Sequence, residues 1–141
     1  VQTWLIRTLS LVYPTAGVLQ LDASGVSRDK AEVERYLNDP LVYNGKLTAR
    51  LVSELFGAME EIHSGAADIH LPLLLLHGGE DAMASPEGSQ LLHDRVSSED
   101  KLLKIYPGLY HEIFNEPEHP EIFRELLDWC DTQLTASEGK A

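Results

Sequence analysis

The stretch Leu71-Pro-Leu-Leu-Leu-Leu-His-Gly-Gly-Glu-Asp81 decides how the rest of this chain is read. Its apolar run is continuous from Leu71 to Leu76 except for Pro72, the pattern of a strand covered on both faces of a parallel sheet. Proline has no amide hydrogen to give to a ladder, so Pro72 belongs near the strand's start. Gly78-Gly79 supplies a sharp turn at the strand's end, and the turn delivers an acid, Asp81. A second unit of the same kind follows. Leu102 to Tyr106 reads as a strand, entered through the polar Ser97–Lys101, and Pro107-Gly108 turns the chain toward His111.

Working outward, Ser85-Pro86 reads as an N-cap followed by a first-turn proline, opening a helix through about Val96. From Leu47 to Ala67 the period is helical: Thr48, Val52, Leu55, Met59 and Ile62 recur at steps of three and four, with Phe56 widening the stripe. This face is expected to be core, and Phe56 and Met59 could instead line an acyl pocket. The terminal helix carries a wide apolar face of Ile122, Phe123, Leu126, Leu127, Trp129, Cys130 and Leu134, followed by a polar, frayed tail from Thr135 to Ala141. Helix, strand, helix, strand, helix is the order of an α/β fold with a parallel sheet and right-handed crossovers. Two parallel strands leave both edges open, so further strands are expected from elsewhere.

Residues 1 to about 45 are less regular. Trp4, Leu5, Leu9, Leu11 and Val12 predict a short helix stopped by Pro14, Val18–Asp22 follows, and a second short helix is expected near Asp29 to Leu37, closed by Asn38-Asp39-Pro40. Such pieces resemble a helical cap and not a sheet. The chain is thus divided into a cap over residues 1–60, including the start of the next helix, and the C-terminal part of an α/β core over residues 61–141.

At 141 residues with 43% hydrophobic side chains there is material for one real core. A net charge of -12, from 23 acids against 11 Lys and Arg, excludes the basic footprint of a nucleic-acid binder. Cys130 is the only cysteine, which forbids an intrachain disulfide and fits a reducing, cytoplasmic setting; it is expected on a buried helix face. No apolar run reaches the ~18 residues of a membrane span. Val1 is not a natural start, so upstream sequence is expected.

In open parallel sheets, functional groups gather at the carboxyl ends of the strands. Asp81 and His111 each follow a strand end, thirty positions apart, which is one helix plus one strand. Adjacent strands lie ~4.8 Å apart, so the two turns could bring carboxylate and imidazole into hydrogen-bond reach. His111 would then take a proton from a serine hydroxyl while Asp81 fixes its tautomer, in the chain order expected after an upstream nucleophile. The nucleophile elbow G-x-S-x-G is absent from these residues. The competing reading is that Asp81 caps a turn and His111 is one of six ordinary histidines. Glu80, Glu112 and Glu116 are read as solvated loop charges. His77, His93 and His111 lack metal-ligand spacing, His63, His70 and His119 read as surface residues, and His93 as exposed in mid-helix. The Gly78-Gly79 turn is not a phosphate loop, and no cofactor is suggested.

The same stretch, together with Ser85-Pro-Glu-Gly-Ser89 and Asp100-Lys-Leu-Leu-Lys-Ile-Tyr-Pro-Gly-Leu-Tyr-His-Glu-Ile-Phe-Asn-Glu116, resembles the C-terminal part of monoacylglycerol lipases. These are α/β-hydrolase serine esterases, whose bacterial members are also described as lysophospholipase-like. Ser27-Arg-Asp29 and Asn38-Asp-Pro-Leu-Val-Tyr43 resemble the family's cap. The resemblance implies Asp81 as triad acid, His111 as triad histidine, and a serine on missing upstream sequence. It implies a lipid ester such as a monoacylglycerol as substrate, with Leu55, Phe56 and Met59 as acyl-tunnel positions. A missing N-terminal half, or a second chain, would complete the sheet, and the cap would touch a membrane surface transiently. Two alternatives stand beside it. One is other α/β-hydrolase chemistry of epoxide hydrolase or dehalogenase type, with an aspartate nucleophile. The other is a non-catalytic remnant that self-associates through its open strand edges.

Overall fold

Strand β3 (Leu73–Gly78) lies parallel to β4 (Lys101–Tyr106), in a register that sets Leu73 opposite Lys101 and Gly78 opposite Tyr106. The coordinates are a computed structural model that describes residues 3–138. Helix α4 (Pro86–Arg95) connects the two strands, with Pro86 in its first turn as expected. Ser85 holds the N-cap position, but its hydroxyl engages the Glu87 carboxylate and not a backbone amide. Helix α5 (His119–Glu138) follows β4 and extends into the segment expected to fray, whose last residues, 139–141, lie outside the described residues.

The buried cluster of Leu109, Ile113 and Ile122, with Leu76 and Tyr106 packed on it, sits directly under the loop that carries His111. Two glycines make that loop possible. A Cβ on Gly78 would lie 2.0 Å from the Tyr110 carbonyl oxygen, so only glycine lets the loop close over the strand end. Gly108 has φ +80, a conformation that glycine adopts without strain.

The first third departs from an all-helical cap. After helix α1 (Thr3–Val12), strand β1 (Gly17–Leu19) pairs antiparallel with β2 (Leu47–Thr48). Helix α2 (Lys30–Asn38) starts at Asp29, whose carboxylate accepts from the Ala31 amide. Helix α3 (Ala49–Gly65) is capped by Thr48, whose hydroxyl accepts from Leu51 N–H at 3.2 Å. Helix α1 packs along α3, and Arg7 pairs with Glu60 at 2.6 Å.

Not all of the expected core is covered. Ala49 and Val52 of α3 are buried, whereas Leu55, Met59 and Ile62 are 43%, 51% and 51% exposed. On α5, Ile122 is buried, Phe123, Leu127 and Leu134 are exposed, and Cys130 is only half-buried. The leucines of β3 are likewise half-buried. Among the described residues the parallel sheet has two strands, which leaves less apolar surface for these faces to pack on than a larger sheet would offer. Among the same residues no helix is long and apolar enough to cross a membrane.

Candidate active site

Asp81 sits in the turn that follows β3, with its amide on the Gly78 carbonyl at 3.3 Å. Its carboxylate is divided between two tasks. Oδ1 accepts from the amides of Met83 at 2.8 Å and Ala84 at 2.9 Å, which closes the turn. Oδ2 accepts from His111 Nδ1–H at 2.8 Å. The Asp81 side chain is 2% exposed. Burial pushes its carboxyl up, but the Ala84 amide, the His111 imidazole and the Met83 amide together hold it below the ordinary carboxylate value.

The loop carrying His111 is stitched to the Asp81 turn by backbone bonds, Gly79 N–H to Tyr106 O at 2.8 Å and Glu80 N–H to Leu109 O at 2.9 Å. It is also tied to the first third of the chain: His111 N–H donates to Gly25 O and Glu112 N–H to Val26 O. With an ionised carboxylate on Nδ1, the ring proton must be on that nitrogen, which leaves the lone pair on Nε2. His111's side chain is 41% exposed, and among the described residues nothing occupies Nε2. An imidazole so arranged can take a proton at Nε2 while a buried carboxylate stabilises the cation that forms.

Two residues missed by the sequence reading support this pair. Glu116, read there as a solvated loop charge, is fully buried. It accepts from Tyr110 N–H at 2.8 Å, from Arg28 Nε–H at 3.0 Å and from Arg28 N–H at 3.2 Å. Two amides and a guanidinium offset the cost of burying the charge. Arg28 lies 88 positions away, so no local pattern announces that pair. Ser27 adds a bond from Oγ–H to Asn115 O at 2.9 Å. The second missed residue is His77, whose Nε2 lies 3.0 Å from Ala84 O and 3.1 Å from Asp81 Oδ2, with Nδ1 2.7 Å from Ser89 Oγ.

The other candidates fall as follows. Glu80 is exposed and Glu112 holds Asn115 Nδ2. His93 is half-buried against Asp94, His70 is exposed, His119 begins α5, and His63 is half-buried with Nδ1 closed off from solvent. A groove of about 720 Å³ opens beside His111 between Leu74, Leu76, Ile113, Phe114, Leu126 and Trp129. A second of about 600 Å³, lined by Leu19, Leu21, Gly25, Met83 and Tyr110, flanks the Asp81 turn. Leu55, Phe56 and Met59 lie on α3 and line neither groove.

With this geometry in hand, known proteins are informative. The family model described as Hydrolase_4: Serine aminopeptidase, S33, matches residues 1–118. Monoacylglycerol lipase of Mycolicibacterium smegmatis is 43% identical over 128 residues, 91% of this chain and 46% of that protein. Human monoglyceride lipase is 35% identical over 137 residues, 96% of this chain and 45% of that protein. The crystal structure of Paleococcus ferrophilus monoacylglycerol lipase superposes with a TM-score of 0.82 at 34% identity, covering 90% of this chain and 50% of that one. The chain spans about half the length of the curated relatives it matches.

Proposed function

This chain belongs to the Hydrolase_4 family, described as serine aminopeptidase, S33, and within its α/β-hydrolase fold we propose that Asp81 and His111 are the acid and base of a lipid-ester hydrolase. The observation that carries the reading is the 2.8 Å bond from His111 Nδ1–H to Asp81 Oδ2, with Nε2 left open at the surface. The names of the relatives point to a monoacylglycerol as substrate. The nucleophilic serine stands on sequence outside these residues.

Nε2 of His111 takes the serine hydroxyl proton as the oxygen attacks the ester carbonyl. It returns that proton to the departing glycerol oxygen, and the acyl group stays on the serine. A water then gives a proton to Nε2 as its oxygen attacks the acyl carbonyl, and Nε2 passes that proton to the serine oxygen as the fatty acid leaves. Asp81 remains ionised throughout and holds the imidazolium in place. In this reading residues 1–60 are the cap, and Leu55, Phe56 and Met59, which line neither groove beside the pair, meet an acyl chain only in a tunnel that further sequence completes. Leu55 and Met59 are exposed and Phe56 is half-buried, a stripe available for a hydrocarbon or for the polypeptide that completes the sheet. Monoacylglycerol hydrolysis by the protein carrying this chain tests the assignment. His111→Ala is expected to lower kcat by at least about 10³-fold. Hydrolysis that survives this substitution undiminished rejects it.

A further inference from the structure

His77 is the last polar side chain of β3, half-buried, and the hydrolytic mechanism does not use it. Three neighbours hold its ring in place. A carbonyl oxygen can only accept, so the nitrogen 3.0 Å from Ala84 O, Nε2, carries the proton. Nδ1 lies 2.7 Å from Ser89 Oγ, a hydroxyl that can donate or accept. The result is a relay from α4 through an imidazole to the far end of the Asp81 turn. Ala84 is the residue whose amide also donates to Asp81 Oδ1 at 2.9 Å, so both polar groups flanking this position are tied down. The same Nε2 stands 3.1 Å from Asp81 Oδ2, the oxygen that His111 uses.

We propose that His77 is a positioning residue: held between Ser89 and Ala84, it braces the Asp81 turn and confines Oδ2 to the side from which His111 donates. Without it, β3 and α4 would reach the turn only through backbone, and the carboxylate could rotate away from His111. The tautomer of His111 is then lost, because the Nδ1 proton is there only to meet Oδ2. Other charged groups on the packed elements are engaged elsewhere. Glu87 is held by Ser85, Asp94 by Gln90 and His93, Lys101 by the carbonyls of His93 and Val96, and Lys104 by Glu125. Glu80 of the turn is exposed. His77 is therefore the side chain outside the pair that acts on Oδ2.

This inference rests on the proposed roles of Asp81 and His111, and its test reads the hydrogen bond directly. Ring ¹⁵N shifts of His111 report which nitrogen carries the proton. In the unsubstituted protein and in His77→Gln, whose amide N–H can still reach Ala84 O, His111 is expected to show a proton on Nδ1 and a lone pair on Nε2. In His77→Phe the two tautomers should mix, and kcat should fall about 10- to 100-fold with KM little changed. Ser89→Ala, a smaller change should His77→Phe fail to fold, is expected to shift the same resonances in the same direction. An unchanged His111 tautomer in His77→Phe, or in Ser89→Ala where that is the variant that folds, overturns the proposal. So does a glutamine variant that behaves like the phenylalanine one. Absence of ester hydrolysis in the unsubstituted protein would instead remove the functional assignment and leave the ¹⁵N result to decide the role of His77.

Discussion

Asp81 shows how much one side chain is asked to do. Oδ1 closes its own turn through two amides, and Oδ2 is left for an imidazole. Asp81→Asn keeps the shape but puts an amide where an acceptor is needed, and kcat is expected to fall about 10⁴-fold with KM little altered. The same carboxylate sets an acid limit on stability. Its pKa is held below the ordinary 3.8, so its contribution is complete above that value and is lost as pH falls through the lower folded value. Acid unfolding followed by circular dichroism should therefore show the Asn variant less stable than the parent at pH 6. The gap should narrow below about pH 4. An aspartate that merely decorated a turn in solvent would give no such convergence.

Among the elements, those made from local periodicity were legible and those made from distant pairs were not. Both parallel strands, α4 and α5 follow from apolar runs, a proline after a serine, and steps of three and four. The meeting of Asp81 with His111 was also legible, since it needs only two neighbouring strand ends. The β1–β2 ribbon was missed because it joins three residues to two across nearly thirty intervening positions. The Glu116–Arg28 clasp was missed for the same reason, and a glutamate in a polar loop reads as solvated until its donors are seen. Glu116→Ala would leave the Tyr110 and Arg28 amides without their acceptor, while the Arg28 guanidinium keeps Glu118. Because Arg28 is itself one-third exposed, the expected loss is about 2–3 kcal/mol, below the ~3–5 of a fully buried pair, measurable by urea denaturation. Gly78→Ala would drive a Cβ into the Tyr110 carbonyl and is expected to cost about 1–3 kcal/mol or more while displacing the His111 loop.

For the whole molecule, the uncovered faces are the dominant fact. The leucines of β3, the α3 stripe and the outer side of α5 are the apolar surface that a larger sheet and its helices would bury. Sequence alone predicted the need for more strands, but it also placed those faces in the core, because periodicity records what a helix is able to bury and not what is there to bury it against. Amide exchange should show this directly. Exchange at Leu73–Gly78 and Lys101–Tyr106 is expected to slow at least tenfold when the sheet-completing polypeptide is present. The central claim is that the acid and base in this chain serve a serine held on other sequence. Fluorophosphonate labelling of the protein, followed by intact-mass and peptide mass spectrometry, tests it most directly. The account predicts a single adduct on a serine outside residues 1–141, formed much more slowly in His111→Ala. An adduct on a serine within these residues, or ester hydrolysis with no adduct at all, would contradict it.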